Sequence, residues 1–522
     1  MPYKSLIFGL IMLTSTPKVF AERGNPVVQF EGVTIDAMIA DFMEEHAIPG
    51  MTLAIVQAPY IPRVVGYGRS NSEQGLLAST KTLWNIGQIT CAYTAVAIMQ
   101  LIEEGKLGLE DALGKYLTEV PKTWQGITFR QLLGHISGLP DYTKQPAFDF
   151  SKEYQPSQLL ALVKDQPLLF QPGTQVAQSA TNFLLLGLAI ERLSGMSYEA
   201  FVKKNQIERI GLKNTFFPSD FKQIKQEALS QSNPRHKEFL LESAYINPSE
   251  TAVGYAEIDG KNTLVPRNNA SGLNAYASLW ASAEDISLWD IALAGSILVK
   301  KKENRDLIYH AVSLNDGTQI QANAGWRFYG HPGLMSIRGN VPGFSCYLSR
   351  FTDPNELVCV TLCANKEQVD LTELARRIAG AFSAKLGPPV GSNELVCFES
   401  CYDVATTMDR LEAFLKMKGV QIMARVDHAQ GAAKANLNLR PTQTLIFGNP
   451  ALGTHLMLSN QSIAAALPLR VAVWQDEAGS VWLGHDEIKA LAEAYGIENI
   501  DTIIHQMTKG LSAAVQHAIA PY

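Results

Sequence analysis

The stretch that decides the fold is Trp84-Asn85-Ile86-Gly87-Gln88-Ile89-Thr90-Cys91, which runs on into Ala95-Val96-Ala97-Ile98-Met99-Gln100-Leu101-Ile102-Glu103-Glu104-Gly105. The second part carries apolar residues at helical spacing, so it predicts a long helix from about Gln88 to Glu104. Gly105 is placed to end this helix, because glycine adopts the left-handed backbone of a C-cap without strain. The pattern therefore puts Gln88 and Cys91 on the first turn of a long apolar helix.

The segments around this helix predict strands at both ends of a mainly helical unit. A helix from Ile35 to Glu45 precedes an alternating strand from Met51 to Val56. Much further along, Ser345 to Phe351 and Leu357 to Leu362 predict a hairpin, and Leu371 to Ala384 predicts a closing amphipathic helix. Strands that enclose a helical middle are typical of an α+β fold with an inserted helical domain.

A break in this pattern divides the chain in two. The stretch Gly387-Pro388-Pro389-Val390-Gly391-Ser392 can neither continue a helix nor lie in a central strand. We therefore predict a first domain over 22–386, a linker over 387–393 and a second α+β domain over 394–522. The second domain is expected to contain a strand, a helix, further strands and a helix, and then a hairpin turning at Asp476-Glu477-Ala478-Gly479.

Composition and charge exclude several classes of protein. The chain has 522 residues, of which 46% are hydrophobic and 18% charged, as in soluble globular proteins. The net charge of −6 is spread thinly, and no basic patch indicates nucleic-acid binding. After the N-terminus, no segment offers the ~18 uninterrupted apolar residues of a transmembrane helix.

The N-terminus itself has the pattern of a secretory signal. Lys4 precedes an apolar stretch from Leu6 to Leu13, and a polar segment then leads to the small residue Ala21. This order predicts a signal peptide over 1–21, cleaved near Ala21. We therefore expect an exported protein, periplasmic or secreted.

Further blocks follow the long helix in a set order. They are Ile127 through Pro140, Gln171-Pro172-Gly173-Thr174, Asn182 through Gly195, Val253-Gly254-Tyr255, Ala283-Glu284-Asp285 and Val341-Pro342-Gly343-Phe344. Together with the stretch from Trp84 to Leu107 they resemble the serine β-lactamase and penicillin-binding-protein (D-Ala-D-Ala peptidase) family, in its class C and esterase-like branch. The resemblance implies an antiparallel sheet flanked by helices, and a cleft built for acyl transfer.

The chemistry of that family needs a Ser-x-x-Lys on one face of a helix, where the lysine can accept the proton of the serine. In the register that Gly87 fixes, the serine position holds Gln88 and the lysine position holds Cys91. A carboxamide has no proton whose loss gives a usable nucleophile, and a neutral thiol does not replace an amine. The resemblance thus implies that the first catalytic element is altered.

Two further elements of the family are altered as well. Its Tyr-x-Asn corresponds to Gln178-Ser179-Ala180, and its Lys/His-x-Gly strand corresponds to Ile337-Arg338-Gly339. His331 lies too early in the chain to be part of the latter, and alternation along the strand predicts that Arg338 points away from the side of Ile337. The resemblance implies a binding cleft lined by residues of all three elements, namely Gln88, Cys91, Gln178, Ser179 and Gly339.

Three functional hypotheses follow. The first is a catalytically inactive family member, a pseudoenzyme, that binds a peptide, a cell-wall fragment or a partner. The second is an active esterase, peptidase or β-lactamase with a non-standard nucleophile such as Cys91, since a thiol near a helix start can have a lowered pKa. The third places the function in the C-terminal domain. His135 is expected to be a packed structural histidine, and Glu284-Asp285 to favour a helix N-terminus.

The second domain is similar to the domain-of-unknown-function 302 family, a small bacterial and archaeal α+β domain. The similarity rests on Val426 to Ala432, Leu439 to Pro450, Leu467 to Trp474 and Gly479 to Leu483. It implies a fold but no activity, and it leaves open a ligand site or a homodimer through this domain. Gly448-Asn449-Pro450 is expected to be a plain loop and helix cap.

No cofactor or metal is expected from the sequence. The spacing of Asp427, His428, His455 and His485 matches no zinc signature. A bridge from Cys346 to the following strand, which carries Cys359 and Cys363, is left open, because sequence does not give the Cα separation.

Overall fold

The computed structural model of the chain describes residues 28–57, 60–221, 251–328, 331, 333–352, 357–388, 395–476, 479–497 and 501–519. The predicted signal peptide at 1–21 lies outside these residues, as does the predicted linker from Pro389 onward.

An antiparallel sheet of eight described strands forms the centre of the first unit. Its strands, in chain order, are β1 (Gly50–Gln57), β2 (Tyr60–Asn71), β3 (Leu76–Leu77), β4 (Ala322–Asn323), β5 (Trp326–Arg327), β6 (Leu334–Val341), β7 (Phe344–Phe351) and β8 (Val358–Ala364). In space they follow the order β4-β5-β6-β7-β8-β1-β2-β3. Strands from both ends of the unit thus meet where β8 pairs with β1, as the sequence predicts for this α+β fold.

The helices of the first unit enclose this sheet. The longer ones are α1 (Ile35–Glu45), α2 (Ile89–Glu103), α3 (Phe129–Leu133), α4 (Pro156–Ala161), α5 (Ala180–Ser194), α6 (Tyr198–Val202), α7 (Ala270–Ala277), α8 (Ala283–Ala294), α9 (Lys302–Tyr309) and α10 (Thr372–Gly380), and a single helical turn lies at Glu208–Ile210. Helices α1 and α10 share one apolar core with the sheet. The second and larger core contains α2, α5, α7 and α8.

Short strand pairs complete the unit. They are Gln29–Phe30 with Val33–Thr34, Tyr255–Ile258 with Lys261–Leu264, Val312–Ser313 with Gln319–Ile320, and Trp280–Ala281 between Trp84–Asn85 and Thr215–Phe216.

The long helix α2 lies at the centre of the larger core. Every residue from Ile89 to Leu101 is buried, polar Thr90 and Thr94 included. The sequence predicts the bounds of this helix to within a residue, and Gly105 follows it with φ +68°, as expected of a residue after a C-cap. A helix that is buried on all sides needs no single apolar face. The start of α2 is therefore held rigidly in the middle of the unit.

The second unit has its own sheet and its own core. Strands β9 (Leu395–Ser400), β10 (Gln421–Asp427), β11 (Thr442–Gly448), β12 (Leu469–Gln475) and β13 (Val481–Asp486) pair in the order β9-β13-β12-β11-β10. The helices are α11 (Val404–Met417), α12 (His428–Lys434), α13 (Pro450–Ser459), α14 (Ile488–Ala494) and α15 (Asp501–Ile519). Asn449 caps α13, since its side chain accepts from the backbone N–H of Ala451.

One expectation for the second unit was incomplete. The predicted final hairpin, β12 and β13, is present, but α14 and α15 follow it. Helix α15 places Met507, Leu511, Ala514, Val515 and Ala518 in the core, at the spacing of a helix face. The sheet needs this cover because its buried face is apolar.

No helix among the described residues is both long and apolar enough to span a bilayer.

Candidate functional site

The start of α2 touches strand β6 backbone to backbone. A Cβ on Gly339 would lie 1.9 Å from the carbonyl oxygen of Ile86, and one on Gly87 would lie 2.8 Å from the backbone nitrogen of Asn340. Gly87 also has φ +53°, which favours glycine. Both glycines are therefore required for this close approach, which places the side chain of Gln88 beside β6.

The side chain of Gln88 bridges two elements at this point. Its Oε1 accepts from the backbone N–H of Asn340 on β6 at 2.6 Å. Its Nε2 donates to the hydroxyl of Tyr276 on α7 at 3.2 Å. The half-buried carboxamide therefore lies across the space between strand β6 and helix α7.

Cys91 lies one turn further into α2 and is closed off from solvent. Its side chain is 1% exposed, and its Sγ donates to the backbone oxygen of Tyr276 at 3.3 Å. A Cβ on Gly325 would lie 3.2 Å from the Cβ of Cys91, so this side is packed as well. Burial raises the pKa of the Cys91 thiol well above its usual value. The group is a neutral, packed thiol.

The segment Gln178-Ser179-Ala180 leads into α5 and is held by His135. The backbone N–H of Ser179 donates to His135 Nδ1 at 3.2 Å, and its hydroxyl donates to the Pro140 oxygen at 3.2 Å. Ala180 is fully buried, whereas Gln178 is half-buried. His135 is thus packed against the start of α5, in keeping with a structural role.

The third element shows the alternation that the sequence predicts. Ile337 is 1% exposed and belongs to the larger core. Arg338 points to the opposite face, where it pairs with Asp370 at 3.1 Å and donates to the Thr372 hydroxyl at 2.6 Å. Arg338 therefore contacts the start of α10. It brings no positive charge to the face of the sheet on which Ile337 lies. His331 precedes β6 and stacks edge-on against Phe351.

The residues of the predicted cleft belong to two local arrangements, one at the start of α2 and one at the start of α5. Gln88, Cys91 and Gly339 meet around the first turn of α2. Sequence reasoning missed Tyr276 and Asn340, the two partners of Gln88. Tyr276 lies 188 residues from Gln88 in the chain, and no local pattern marks it as a neighbour.

His428, His485 and Asp285, which the sequence analysis considered, each contact different partners. In the described part of the chain, no group of three His, Cys, Asp or Glu side chains is arranged to hold a metal ion. His428 Nε2 lies 3.0 Å from the Thr444 hydroxyl, and His485 stacks on Phe398. Asp285, near the N-terminus of α8, accepts from the backbone N–H of Asn214 at 2.7 Å.

The six cysteines are free thiols in the structure. Cys346 on β7 stands directly opposite Cys363 on β8, and both side chains are buried. Burial raises the pKa of Cys363 well above its usual value, and the contact with Cys346 adds to that rise.

Comparisons with known proteins agree with this architecture. A model of the Beta-lactamase family matches residues 35–382, and a model of the Domain of unknown function DUF302 matches residues 396–518. "Penicillin-binding protein 4*" of Bacillus subtilis (strain 168) is 26% identical over 347 residues, which are 65% of this chain and 69% of that protein. "Fluoride-specific ion channel FluC 1" of Brucella suis biovar 1 (strain 1330) is 38% identical over 135 residues, 25% of this chain and 53% of that protein.

Among solved structures, the octameric penicillin-binding protein homologue from Pyrococcus abyssi is similar with a TM-score of 0.55 and 19% identity. The match covers 86% of this chain and 89% of that one, and at this identity it supports the fold alone. Since the family model spans well over half of the sequence, the chain belongs to the beta-lactamase family and carries a C-terminal domain of the DUF302 type.

Proposed function

We propose that this protein is an exported member of the beta-lactamase family that has lost acyl transfer and acts by binding a peptide or a cell-wall fragment. The observation that carries the proposal is the bridge made by Gln88 between Asn340 and Tyr276. Export is inferred from the signal pattern that ends at Ala21.

The Gln88 bridge opposes acyl transfer in two ways. A carboxamide at the start of α2 supplies no nucleophile, and Cys91 supplies no amine to accept a proton. Acyl-transfer sites also aim backbone N–H groups at the oxygen of a reacting carbonyl. The N–H of Asn340 borders the position of Gln88, and it already donates to the side-chain Oε1 of Gln88 at 2.6 Å. A substrate carbonyl would have to displace a side chain of the protein to reach this donor.

The other altered positions support the same proposal. Ile337 places an apolar side chain where the family has a lysine or histidine, and Arg338 is bonded on the opposite face. Ala180 is buried where the family has an asparagine. Acyl transfer needs the groups of the three elements together, so their joint replacement argues against it.

An enzyme that uses Cys91 is disfavoured by the surroundings of that thiol. A reactive cysteine is exposed and has a lowered pKa. Cys91 is buried, its pKa is raised, and its thiol donates a hydrogen bond to the backbone carbonyl oxygen of Tyr276. We therefore rank this hypothesis below the loss of catalysis.

The test is covalent labelling of the full-length protein with a fluorescent penicillin and with a fluorophosphonate, read out by intact mass. An active serine enzyme of the family serves as the positive control, and no adduct is expected on this chain. The Gln88→Ser, Cys91→Lys double variant is expected to stay unlabelled, because Gln178 and Ile337 are still in place. A stoichiometric adduct that maps to the start of α2 would refute the proposal, and alkylation of Cys91 ahead of the half-exposed Cys397 would favour the thiol enzyme.

A second function is favoured by the sheet of the C-terminal domain. Residues paired across its strands share one face, and Val426, Thr444, Ala472, Gly484 and Cys397 form such a row. The neighbouring row holds Trp474 opposite Trp482. This face lies away from the core formed by Leu445, Val473 and Leu483. We infer that it is a binding surface, for a ligand or for a second copy of the chain.

A further inference from the structure

Two cysteines face each other across the central sheet, close to the start of α2. Cys346 on β7 pairs with Cys363 on β8, and their side chains are 3% and 0% exposed in the same apolar core. The row continues through Gly339 on β6, whose backbone touches the chain just before α2. Cys346 Sγ also lies 3.7 Å from the backbone oxygen of Asn85. The pair therefore lies next to the backbone that positions Gln88.

The two cysteines form a non-hydrogen-bonded pair of the β7–β8 ladder. In an antiparallel sheet, successive residues of a strand bond alternately to the two neighbouring strands. The N–H of Thr352 donates to the oxygen of Gly333 at 2.9 Å, and the register continues without a shift, so the even-numbered residues of β7 bond to β6. The N–H of Asn365 donates to the oxygen of Gly50 at 3.2 Å, so the odd-numbered residues of β8 bond to β1. Each cysteine thus turns its backbone polar groups away from the other.

A pair of this kind has the geometry that a disulfide needs. Opposite residues in a non-hydrogen-bonded pair have Cα atoms about 4.5 Å apart, and their Cβ atoms approach most closely. A disulfide joins Cα atoms roughly 4.4–6.8 Å apart. The two thiols are in contact, since Cys346 acts directly on Cys363 and adds to the rise of its pKa. Cys359 is four residues from Cys363, roughly 14 Å along the strand, so it is not within reach of Cys346.

We propose that Cys346 and Cys363 form a disulfide in the exported protein. The bridge goes beyond the proposed binding function and shares with it only the inference of export, because compartments outside the cytoplasm sustain disulfides.

The bridge forms by exchange with a disulfide of the compartment, carried by an oxidoreductase or by a small disulfide such as glutathione disulfide. The thiolate of one cysteine attacks this disulfide, which gives a mixed disulfide and releases one thiol. The other cysteine then attacks the mixed disulfide, so that the bond between the pair forms and the second thiol leaves. The pair gives up two electrons and two protons, and the two thiols of the oxidant take them up.

The exchange precedes the closure of the core. A thiolate has to be formed and reached by the oxidant, whereas both side chains are buried in the folded sheet. Burial also raises the pKa of the Cys363 thiol well above its usual value. In the unfolded chain both thiols are open to the oxidant. The bridge therefore forms during folding, and the same burial then shields it from reductants.

The test compares the protein folded in two compartments of one bacterial host. The chain is either kept in the reducing cytosol or exported to the periplasm behind a secretory signal of the host, so the result does not depend on residues 1–21. Each sample is denatured and alkylated, and intact mass counts the modified thiols. We expect six modified cysteines in the cytosolic protein and two fewer in the exported one, with a cross-linked peptide that joins Cys346 to Cys363. Six modified cysteines in the exported protein, or a bridge between other cysteines, would overturn the proposal.

Two serine variants test the bridge by stability. Because a bridge limits the entropy of the unfolded chain, the first unit of the exported wild type should melt about 4 °C above that of the cytosolic wild type. Cys363→Ser should abolish this difference. Cys359→Ser alters another buried cysteine of β8 and should keep it. Each variant is compared with itself from the other compartment, so the cost of the substitution cancels. A difference that persists in Cys363→Ser would overturn the bridge as its source.

The bridge and the proposed function fail independently. A bridged protein that takes a penicillin adduct would refute the loss of acyl transfer and leave the bridge standing. An exported protein with six modified cysteines and no penicillin adduct would refute the bridge alone.

Discussion

His135 shows at the scale of one residue how the surroundings of a side chain decide its role. The ring is 1% exposed, and its Nδ1 lies 2.9 Å from Asn182 Nδ2 and 3.2 Å from the Ser179 nitrogen. Burial, with a smaller effect of Lys144, lowers the pKa of His135 to about 3. Near neutral pH the imidazole is therefore uncharged, and its Nδ1 accepts hydrogen bonds that hold the start of α5 against the preceding loop.

This depressed pKa predicts a pH dependence of stability. The unfolded chain protonates His135 near pH 6.5, and the folded chain only near pH 3, so stability is lost as the pH falls below 6.5. Between pH 7 and pH 5 this linkage amounts to about 2 kcal/mol. We expect urea unfolding of the wild type to lose about that much more than His135→Asn over this range.

Asparagine is the matched replacement, since it keeps an acceptor and tolerates the φ of +56° at this position. Equal losses in the two proteins would mean that the native ring is protonated already at pH 5.

At the scale of elements, the Gln88 bridge ties β6 and α7 to the start of α2. Gln88→Ala removes both hydrogen bonds, and Tyr276→Phe removes the one to α7. We expect Gln88→Ala to lower the free energy of unfolding by about 1–2 kcal/mol. Hydrogen exchange followed by mass spectrometry should show faster exchange of the peptide around Asn340 in Gln88→Ala and unchanged exchange there in Tyr276→Phe. Unchanged exchange around Asn340 in both variants would contradict a hydrogen bond from the Asn340 N–H to the Gln88 side chain.

Local patterns in the sequence predict most of the elements and the direction of some side chains. The bounds of α2 and the opposite orientations of Ile337 and Arg338 follow from helical and strand periodicity. The partners of Gln88 do not follow from periodicity, because Tyr276 and Asn340 meet it only through long-range packing. Helix α15 carries a helical apolar pattern that sequence reasoning left out.

At the scale of the whole molecule, the two units have separate apolar cores. In the second unit α11 packs against one face of the sheet, and the row through Val426 and Gly484 lies on the other. A Cβ on Gly484 would lie 2.9 Å from the ring of Trp474, so the indole lies across the sheet where a side chain is absent. Exposed apolar residues border this face at Leu395, Met423 and Val426. Apolar surface of this kind marks an interaction site in soluble proteins.

We propose a second copy of the chain as the partner of this face, because a two-fold axis pairs an apolar patch with itself. We expect the full-length protein to be a dimer by size-exclusion chromatography with light scattering. The double variant Met423→Lys, Val426→Lys places charges on residues that are 48% and 39% exposed, so it should fold and yet be monomeric. The control, Leu458→Lys, alters a residue of α13 that is 78% exposed and does not belong to the Val426–Gly484 row, and it should remain a dimer. A wild type that is monomeric at every concentration, or a double variant that still dimerises, would refute a dimer through this face. A ligand would then be the remaining partner for its exposed apolar residues.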